Sequence, residues 1–433
     1  MNKKLGNIFK GDKVIWMVLF FLCMISVVEV FSASSHLTYK SSSYMRPIMY
    51  HAMTIVAGVV VAVVTVNIPC RYFKLLTPLF LLASFFTLLW VLVAGEDING
   101  AQRVLSVFGF TFQPSEIAKG TMILAEAQIL SAMQGEHGAD RRAFNFILFL
   151  AVPMAFLIML ENLSTAVLLC TVVLMMMVIG RVPMVQIGKL LGLLVVLAVG
   201  AFTLVMAVGH DEKEADGKLA KTDKMEVAQK PADGKAEKEE ESFVEKLFHR
   251  ADTWKSRIDG FLDDTQVAPE DFDLDKDAQV AHANIAIVSS NWIGKGPGNS
   301  VERDFLPQAF SDFIYAIIIE EMGLAGAAAV ALLYIILLFR TARIAGRCEN
   351  NFPAFLAMGL ALMLVVQASF NMLVAVGFMP VTGQPLPLIS KGGTSTIINC
   401  AYIGAILSVS RSAKKASHSG EGSARVEQAT VAA

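Results

Sequence analysis

One stretch of the chain decides how the rest is read: Phe305-Leu306-Pro307-Gln308-Ala309-Phe310-Ser311-Asp312-Phe313-Ile314-Tyr315-Ala316. Its carboxylate, Asp312, stands directly before an apolar run that is long enough to cross a bilayer as a helix. Ionisable side chains are costly at membrane depth, so those that are kept there mark candidate functional sites. The stretch therefore predicts a membrane-spanning helix with a site at its entrance.

The composition of the whole chain agrees with a membrane setting. Hydrophobic residues make up 55% and charged residues 17% of the 433 residues, and the mean hydropathy is +0.57. Apolar runs of about 20 residues predict about ten spans. These runs begin near Val14, Ile48, Leu75, Ser115, Phe144, Leu163, Leu190, Ser311, Phe352 and Thr394. We predict an all-α integral membrane protein with one large extracytoplasmic loop between spans 7 and 8.

Charge then orients the spans and divides the chain. Basic residues lie at both ends and in alternate connections, so both termini are expected in the cytoplasm. The first apolar run is read as a span, because it is long for a cleaved signal and other spans follow. Residues 1–208 are expected to hold spans 1–7, and 209–310 the outer loop. Residues 311–411 are expected to hold spans 8–10, and 412–433 a disordered cytoplasmic tail.

The outer loop reads as four pieces. Residues 210–241 are rich in Lys, Glu and Asp, which predicts a solvated insert or a docking tail for a partner. Residues 243–262 have the apolar spacing of an amphipathic helix, either at the membrane interface or packed on the protein. The acidic run 271–277 resembles a calcium loop but lacks the glycine and the closing Glu. The glycines of 294–300 suit either close approach to a ligand or a turn-rich connector.

A second polar site lies in the outer loop before the fourth span, where Asn99-Gly100-Ala101-Gln102-Arg103 is followed by Gln113-Pro114-Ser115-Glu116-Ile117-Ala118-Lys119. Glu116 and Lys119 lie one turn apart, which permits a salt bridge inside a polar bundle. Arg103 and Lys119 together also suit a phosphate or pyrophosphate head group. Both interpretations are open at this point.

Polar residues recur in the last two spans and the loop between them. Gln367 and Asn371 are four residues apart on the ninth span, where amides either join helices or contact substrate. The following loop is rich in proline and glycine and contains Ser390-Lys391-Gly392-Gly393. Such a loop either packs at the membrane surface or forms the rim of a cavity. Its Lys391 would add a third outward-side cation.

These motifs, in this order along nearly the whole chain, resemble the SEDS family of peptidoglycan glycosyltransferases, the relatives of FtsW, RodA and SpoVE. The resemblance is carried by the blocks 99–119, 165–166, 294–300, 306–314, 320–323 and 380–395. It implies polymerisation of lipid II, a polyprenyl-diphosphate disaccharide-peptide, on the outer face of the plasma membrane. It also implies a class B penicillin-binding transpeptidase as a partner. The segment 296–307 looks more like the cell-division branch than the elongation branch.

Roles for individual residues follow from the resemblance and from the chemistry of glycosyl transfer. The resemblance maps its catalytic aspartate onto Asp312, to which we assign general base catalysis, and its conserved basic pair onto Arg103 and Lys119, which are assigned to the diphosphate. Glu320 and Glu321 are expected to be structural or to handle protons. The predicted substrate-binding residues are Arg103, Lys119, Glu116, Gln113, Ser390, Lys391, Gly392, Gln367, Asn371 and Lys295. No cofactor is assigned, and a divalent-cation requirement is left open.

The chain also departs from the family pattern at four places. Where the family usually has His-Thr-Asp, this chain has Phe310-Ser311-Asp312, and Ser-Tyr-Gly-Gly is replaced by Ser390-Lys391-Gly392-Gly393. Val104 stands where a tryptophan is usual, and Asn162 where an aspartate is common. A histidine next to the catalytic aspartate therefore has no part in the chemistry of this chain.

Three other functions remain open from the sequence. Charged and broken segments around a cavity would also suit a lipid II flippase or transporter, although no internal repeat is visible. The charged insert would suit a scaffold of the division machinery. An elongation-type polymerase is the alternative within the same family.

Overall fold

The computed structural model describes residues 10–39, 46–98, 101–107, 110–208, 278–306 and 310–431. Helices dominate these ranges. In chain order they are α1 (Lys13–Tyr39), α2 (Arg46–Asn67), α3 (Cys70–Ala94), α4 (Pro114–Ala132), α5 (Arg141–Glu161), α6 (Leu163–Ile179), α7 (Met184–Val208), α8 (Ala278–Val288), α9 (Ile314–Ala345), α10 (Asn351–Ala375) and α11 (Thr394–Val431). The all-α membrane architecture that was predicted is confirmed.

Six of these helices, α1, α2, α3, α5, α9 and α10, contain segments long and apolar enough to cross a membrane. Shorter apolar helices occur at Leu163–Ile179, Met184–Val196 and Gln279–Val288. Helix α4 contains three ionisable residues, Glu116, Lys119 and Glu126, all of them buried. The figure of about ten spans, and the position of the large loop between spans 7 and 8, stay predictions.

Two small antiparallel sheets interrupt the helices, and the sequence analysis predicted neither. The first has the order β1-β2-β3, formed by Glu96–Ile98, Ala101–Val107 and Phe110–Phe112. Its residues include Val104, Val107 and Phe112, and β-branched and aromatic side chains favour strands. The second is a hairpin of β4 (Gln134–Gly135) and β5 (Gly138–Ala139). The block before α4, expected as a loop, is therefore partly sheet.

The chain divides into two units. The larger contains α1–α6, the start of α7 and α8–α11. Within it, α10 contacts α4, α6, α9 and α11, so it lies between the helix of Lys119 and the helix that follows Asp312. The smaller unit comprises residues 188–277 and 379–381, and its described part is the remainder of α7 and that short segment.

Helix α9 is broken at Gly323, where the backbone has φ 69° and ψ −175°. The break leaves two half-helices, 314–322 and 324–345. A positive φ of this kind is readily adopted by glycine and strained for residues with a Cβ. The sequence analysis had expected one continuous span here.

The C-terminal segment can be compared with its prediction, whereas most of the predicted outer loop cannot. Helix α11 continues to Val431, past Arg411, where the sequence analysis ended the last span and placed a disordered tail. Residues 412–431 contain no proline, the residue that most strongly interrupts a helix. The charged insert 210–241, the amphipathic segment 243–262 and the acidic run 271–277 lie outside the described residues.

Candidate functional site

Asp312 lies in a turn directly before α9, and other parts of the chain hold the backbone of that turn. The Asn371 side chain on α10 donates from Nδ2 to the Asp312 carbonyl at 2.8 Å. The Ser390 hydroxyl donates to the carbonyl of Ser311 at 2.6 Å. These bonds use main-chain groups, so they fix the position of Asp312 while leaving its carboxylate half-buried rather than enclosed.

The Asp312 carboxylate itself has a hydroxyl and a glycine beside it. Ser311 donates from Oγ to Oδ1 at 2.8 Å. A Cβ placed on Gly383 would lie 3.5 Å from Oδ2, and Gly383 has φ +65°. The loop before α11 therefore approaches the carboxylate closely through a residue without a side chain.

Lys391 lies next to the same turn. Its backbone N–H donates to the Phe310 carbonyl at 3.0 Å, and its Nζ lies 4.8 Å from the centroid of the Phe310 ring. The side chain is half-buried, and burial lowers the pKa of the Lys391 ammonium from its usual value of 10.5. The predicted third cation is thus adjacent to the Asp312 turn.

Lys119 lies fully buried in α4 and is held by two partners. Its Nζ is 2.7 Å from Oε1 of Glu116 and donates to Oε1 of Gln367 on α10 at 2.9 Å. The Glu116–Lys119 salt bridge, one of the two interpretations of this pair, is confirmed. The binding of a diphosphate by Lys119 stays a prediction.

Helix α10 connects the Lys119 group with the Asp312 turn through two amides. Gln367 accepts from Lys119 and donates to the Pro385 carbonyl at 3.1 Å. Asn371 lies about 6 Å further along the axis, where it donates to the carbonyls of Asp312 and Gln384. Of the two roles considered for these amides, the joining of segments is therefore observed.

Three other predicted residues have a described backbone setting. Arg103 is part of β2, and its side chain lies outside the described residues. Gln113 is the residue that precedes α4, with Pro114 in the first turn of the helix. The Gly392 carbonyl accepts from the backbone and hydroxyl of Ser395, at 2.9 and 2.8 Å. Gly392 thus belongs to the turn that begins α11.

Lys295 has partners in a different group of residues. Its Nζ lies 2.5 Å from Oε1 of Glu320 and donates to the hydroxyl of Ser289 at 2.9 Å. Glu320 also accepts from the backbone N–H of Val301 at 3.1 Å and from the hydroxyl of Ser300. The substrate-binding role of Lys295 stays a prediction, and its observed contacts are with the protein.

Glu321 binds the glycine-rich segment. Its Oε2 accepts from the backbone N–H of Gly298 at 2.9 Å, and its Oε1 from the N–H of Ser300 at 3.2 Å and from the hydroxyl of Ser32. Nη1 of Arg303 lies 3.8 Å from Oε1 of Glu321. Successive backbone amides near glycines form anion-binding sites, and here the anion is a carboxylate of the protein. Of the two roles predicted for Glu320 and Glu321, structural or proton-handling, structural contacts are observed and proton handling stays a prediction.

The break at Gly323 is paired with the same segment. The amides of Lys295 and Gly296 donate to the carbonyls of Glu320 and Glu321 at 2.9 and 2.8 Å. A Cβ on Gly323 would lie 2.5 Å from the Gly294 nitrogen. The carbonyl groups exposed by the break are therefore satisfied by residues 291–303, which we call the clamp segment. The sequence analysis did not predict this contact. The only signs of it in the sequence are the adjacent Glu320 and Glu321 and the separate glycine-rich run 294–298.

The chain was compared with known proteins. A family model described as "Cell cycle protein", for FtsW, RodA and SpoVE, matches residues 12–213 and 243–415. A relative named probable peptidoglycan glycosyltransferase FtsW, from Halomonas elongata, is 30% identical over 367 residues, 83% of this chain and 80% of that protein. A relative of the same name from Aromatoleum aromaticum is 29% identical over 401 residues, 90% of this chain and 85% of that protein.

Solved structures share the fold. A chain from a peptidoglycan synthase complex, described as coordinating polymerization and crosslinking, aligns with a TM-score of 0.64 at 23% identity, covering 93% of this chain and 98% of that chain. The rod shape determining protein RodA of Thermus thermophilus aligns with a TM-score of 0.60 at 22% identity, covering 94% and 98%. On the family match, the chain belongs to the FtsW, RodA and SpoVE family of cell cycle proteins.

Proposed function

We propose that the protein is a peptidoglycan glycosyltransferase that polymerises lipid II into glycan strands during cell division. The related proteins are named probable peptidoglycan glycosyltransferases, which supports the proposal. The single observation that carries it is the placement of Asp312, whose backbone is fixed by Asn371 and Ser390 while its carboxylate stays half-buried at the entrance of α9. A base must be both fixed and accessible to the hydroxyl that it deprotonates.

The reaction is written as one displacement at the donor sugar. The hydroxyl of the acceptor glycan attacks C1 of the donor, and its oxygen forms the new glycosidic bond. The bond between C1 and the diphosphate oxygen breaks, and the electron pair leaves with the diphosphate. The proton of the attacking hydroxyl passes to the Asp312 carboxylate, which acts as general base.

Cations are assigned to the departing diphosphate, because negative charge grows on it in the transition state. Besides Lys119, the assigned groups are Arg103 on β2 and Lys391 beside the Asp312 turn. Lys119 is assigned to the same site from the family resemblance. In the absence of substrate its ammonium is held by Glu116 and Gln367.

The setting of the reaction is part of the proposal. The protein has about ten spans, with both termini in the cytoplasm and the Asp312 site on the outer side. It acts at the division septum together with a class B penicillin-binding transpeptidase, which crosslinks the new strands. The solved chain from a peptidoglycan synthase complex shares this fold, which supports a partner of that class.

The test is polymerisation by the purified full-length protein, with and without the transpeptidase, on fluorescent lipid II in detergent and in vesicles. We expect glycan strands resolved by gel electrophoresis. Parallel reactions with EDTA address the divalent cation. Movement of lipid II across the vesicle membrane without polymer would overturn the proposal in favour of a flippase.

A further inference from the structure

Phe310 and Lys391 both depart from the pattern of the family, and the structure places them against each other. The family usually has histidine at the first position and tyrosine at the second. In this chain the aromatic ring is at 310 and the cation at 391, joined by an N–H to carbonyl hydrogen bond of 3.0 Å. The Nζ lies 4.8 Å from the ring centroid, within the range of a cation–π contact. The two residues that depart from the family pattern are therefore in contact with each other in this chain.

The contact fixes where the ammonium lies. The bond from Lys391 to the Phe310 carbonyl and the neighbouring bond from Ser390 to the Ser311 carbonyl hold the two segments side by side. A free lysine side chain samples many rotamers, and ordering it on binding a ligand has an entropic cost. A ring beneath the ammonium reduces that cost in advance. Phe310 is also only two residues before Asp312, so the ordered cation lies beside the turn that contains Asp312.

We propose that Phe310 is a positioning residue, whose ring holds the Lys391 ammonium at the Asp312 site so that it binds the diphosphate of the lipid-linked donor. This inference rests on the proposed function. Lys391 is the group that contacts substrate, and Phe310 acts only through it. Phe310 and Lys391 together then do the work that other residue types do at these positions in the family.

A double-mutant cycle on the purified full-length protein tests the dependence of one residue on the other. We expect Lys391→Met to raise KM for lipid II about tenfold, because the contact with the diphosphate is made on binding, and also to lower kcat, because the charge on the diphosphate grows in the transition state. Phe310→Leu should raise KM about threefold, the size of a cation–π contact at a partly exposed site. Phe310→Trp should keep the wild-type KM, since indole binds cations at least as well.

The double variant Phe310→Leu/Lys391→Met decides the question. If Phe310 acts through Lys391, the double variant has the KM of Lys391→Met alone. Multiplicative effects, with KM raised about thirtyfold, would overturn the inference. A second cycle exchanges both residues for the family's types. We expect each single exchange, Phe310→His or Lys391→Tyr, to reduce kcat/KM more than the double exchange does. A double exchange with a lower kcat/KM than both single exchanges would also contradict the inference.

The same variants separate this inference from the proposed function. Thermal midpoints in detergent are measured for every member of the first cycle. If the effects of the two substitutions on the thermal midpoint are not additive, and the wild-type protein makes no polymer, the contact is supported and the proposed glycosyltransferase function is contradicted. A wild-type protein that polymerises lipid II, with independent effects of the two substitutions on KM, would remove the inference and leave the function.

Discussion

The half-helix 314–322 has acidic side chains at both ends, and the two ends have opposite settings. At its entrance, Asp312 is half-buried, and Asn371 donates a hydrogen bond to its backbone carbonyl. At the other end, Glu320 and Glu321 are fully buried. Their oxygens accept hydrogen bonds from Lys295, from backbone amides of the clamp segment and from hydroxyl groups.

The difference teaches how one residue type serves two purposes within a few turns. A fully buried carboxylate that already accepts three hydrogen bonds from the protein, as Glu320 and Glu321 each do, holds segments together. The Asp312 carboxylate is half-buried at the entrance of α9, which suits the proton transfer proposed for it. We therefore assign catalysis to the entrance of the half-helix and structure to its far end. The following predictions are ordered by the size of the expected effect.

The largest effect is expected for Asp312→Asn. The amide cannot accept the hydroxyl proton, and loss of a general base reduces rates by about 10²- to 10⁴-fold. The backbone bonds to Asn371 and Ser390 are retained, so the thermal midpoint should stay near that of the wild type. Glu136→Gln, which changes an exposed carboxylate in the turn of the β4–β5 hairpin, is the matched control and should polymerise normally. Wild-type turnover by Asp312→Asn would remove Asp312 from the mechanism.

Glu321→Ala should act in the opposite way, with a large effect on stability. It leaves the buried amides of Gly298 and Ser300 without their acceptor, and removing one member of a buried charged network costs about 3–5 kcal/mol. We expect a clearly lower thermal midpoint, and polymerisation that survives where the protein is still folded. An unchanged midpoint with no polymerisation would show that the comparison between the two ends is wrong.

Gly323→Ala tests the break in α9 without changing any charge. The new Cβ would lie 2.5 Å from the backbone of Gly294 and of Trp292, at a φ of +69°. Backbone atoms cannot move aside as a side chain can, and the backbone conformation at φ 69° and ψ −175°, which is essentially restricted to glycine, costs another residue about 1–3 kcal/mol. We expect a loss of at least about 2 kcal/mol in the free energy of unfolding.

The matched control for that substitution is Gly188→Ala in α7, where a Cβ meets nothing within 4 Å. Alanine is a better helix former than glycine, so this variant should be as stable as the wild type or slightly more stable. Equal midpoints for both glycine variants would mean that the clamp segment does not press on the break.

The smallest effect is expected for the ion pair between Asp12 and Arg340, at the start of α1. Burial alone would raise the pKa of the Asp12 carboxyl, but hydrogen bonds from Arg340, Val14 and Ile15 and the charge of Arg340 lower it from 3.8. A lowered folded-state pKa stabilises the protein above the unfolded value, and the stabilisation is lost as pH falls through the folded value. Asp12→Asn should therefore cost about 1–2 kcal/mol at pH 7.

Thermal midpoints of the wild type and Asp12→Asn, measured from pH 7 down to pH 3, check this. The difference between the two proteins should be constant above about pH 4.5 and shrink below it. A difference that grows as the pH falls would contradict the assignment of this ion pair.

The sequence predicted the parts of this account that depend on near neighbours in the chain. Every predicted span has a helix that begins within about six residues of the predicted start, because hydropathy is a local property, whereas α8 was not predicted. The salt bridge of Glu116 and Lys119 was one of two interpretations, because residues three apart on a helix are neighbours. The break at Gly323 could not be predicted, since a glycine within an apolar run is compatible with a continuous helix.

Contacts between distant segments could not be predicted, because sequence patterns report on near neighbours in the chain. Asn371 is 59 residues from Asp312, and Gly298 is 23 residues from Glu321. Neither pair has a periodicity or a motif that joins its members. The contact of Phe310 with Lys391 was visible in the sequence only as two separate departures from a family pattern. The side chain of Arg103 lies outside the part of the chain that the structure describes, so its role stays a prediction.

One measurement tests the central claim most directly: binding and single-turnover transfer of fluorescent lipid II, followed in the same preparation of Asp312→Asn protein. If Asp312 is the base, the variant binds lipid II with an affinity close to that of the wild type, while no labelled glycosidic product forms during the time of many wild-type turnovers. Transfer at the wild-type rate by the bound variant would contradict the claim.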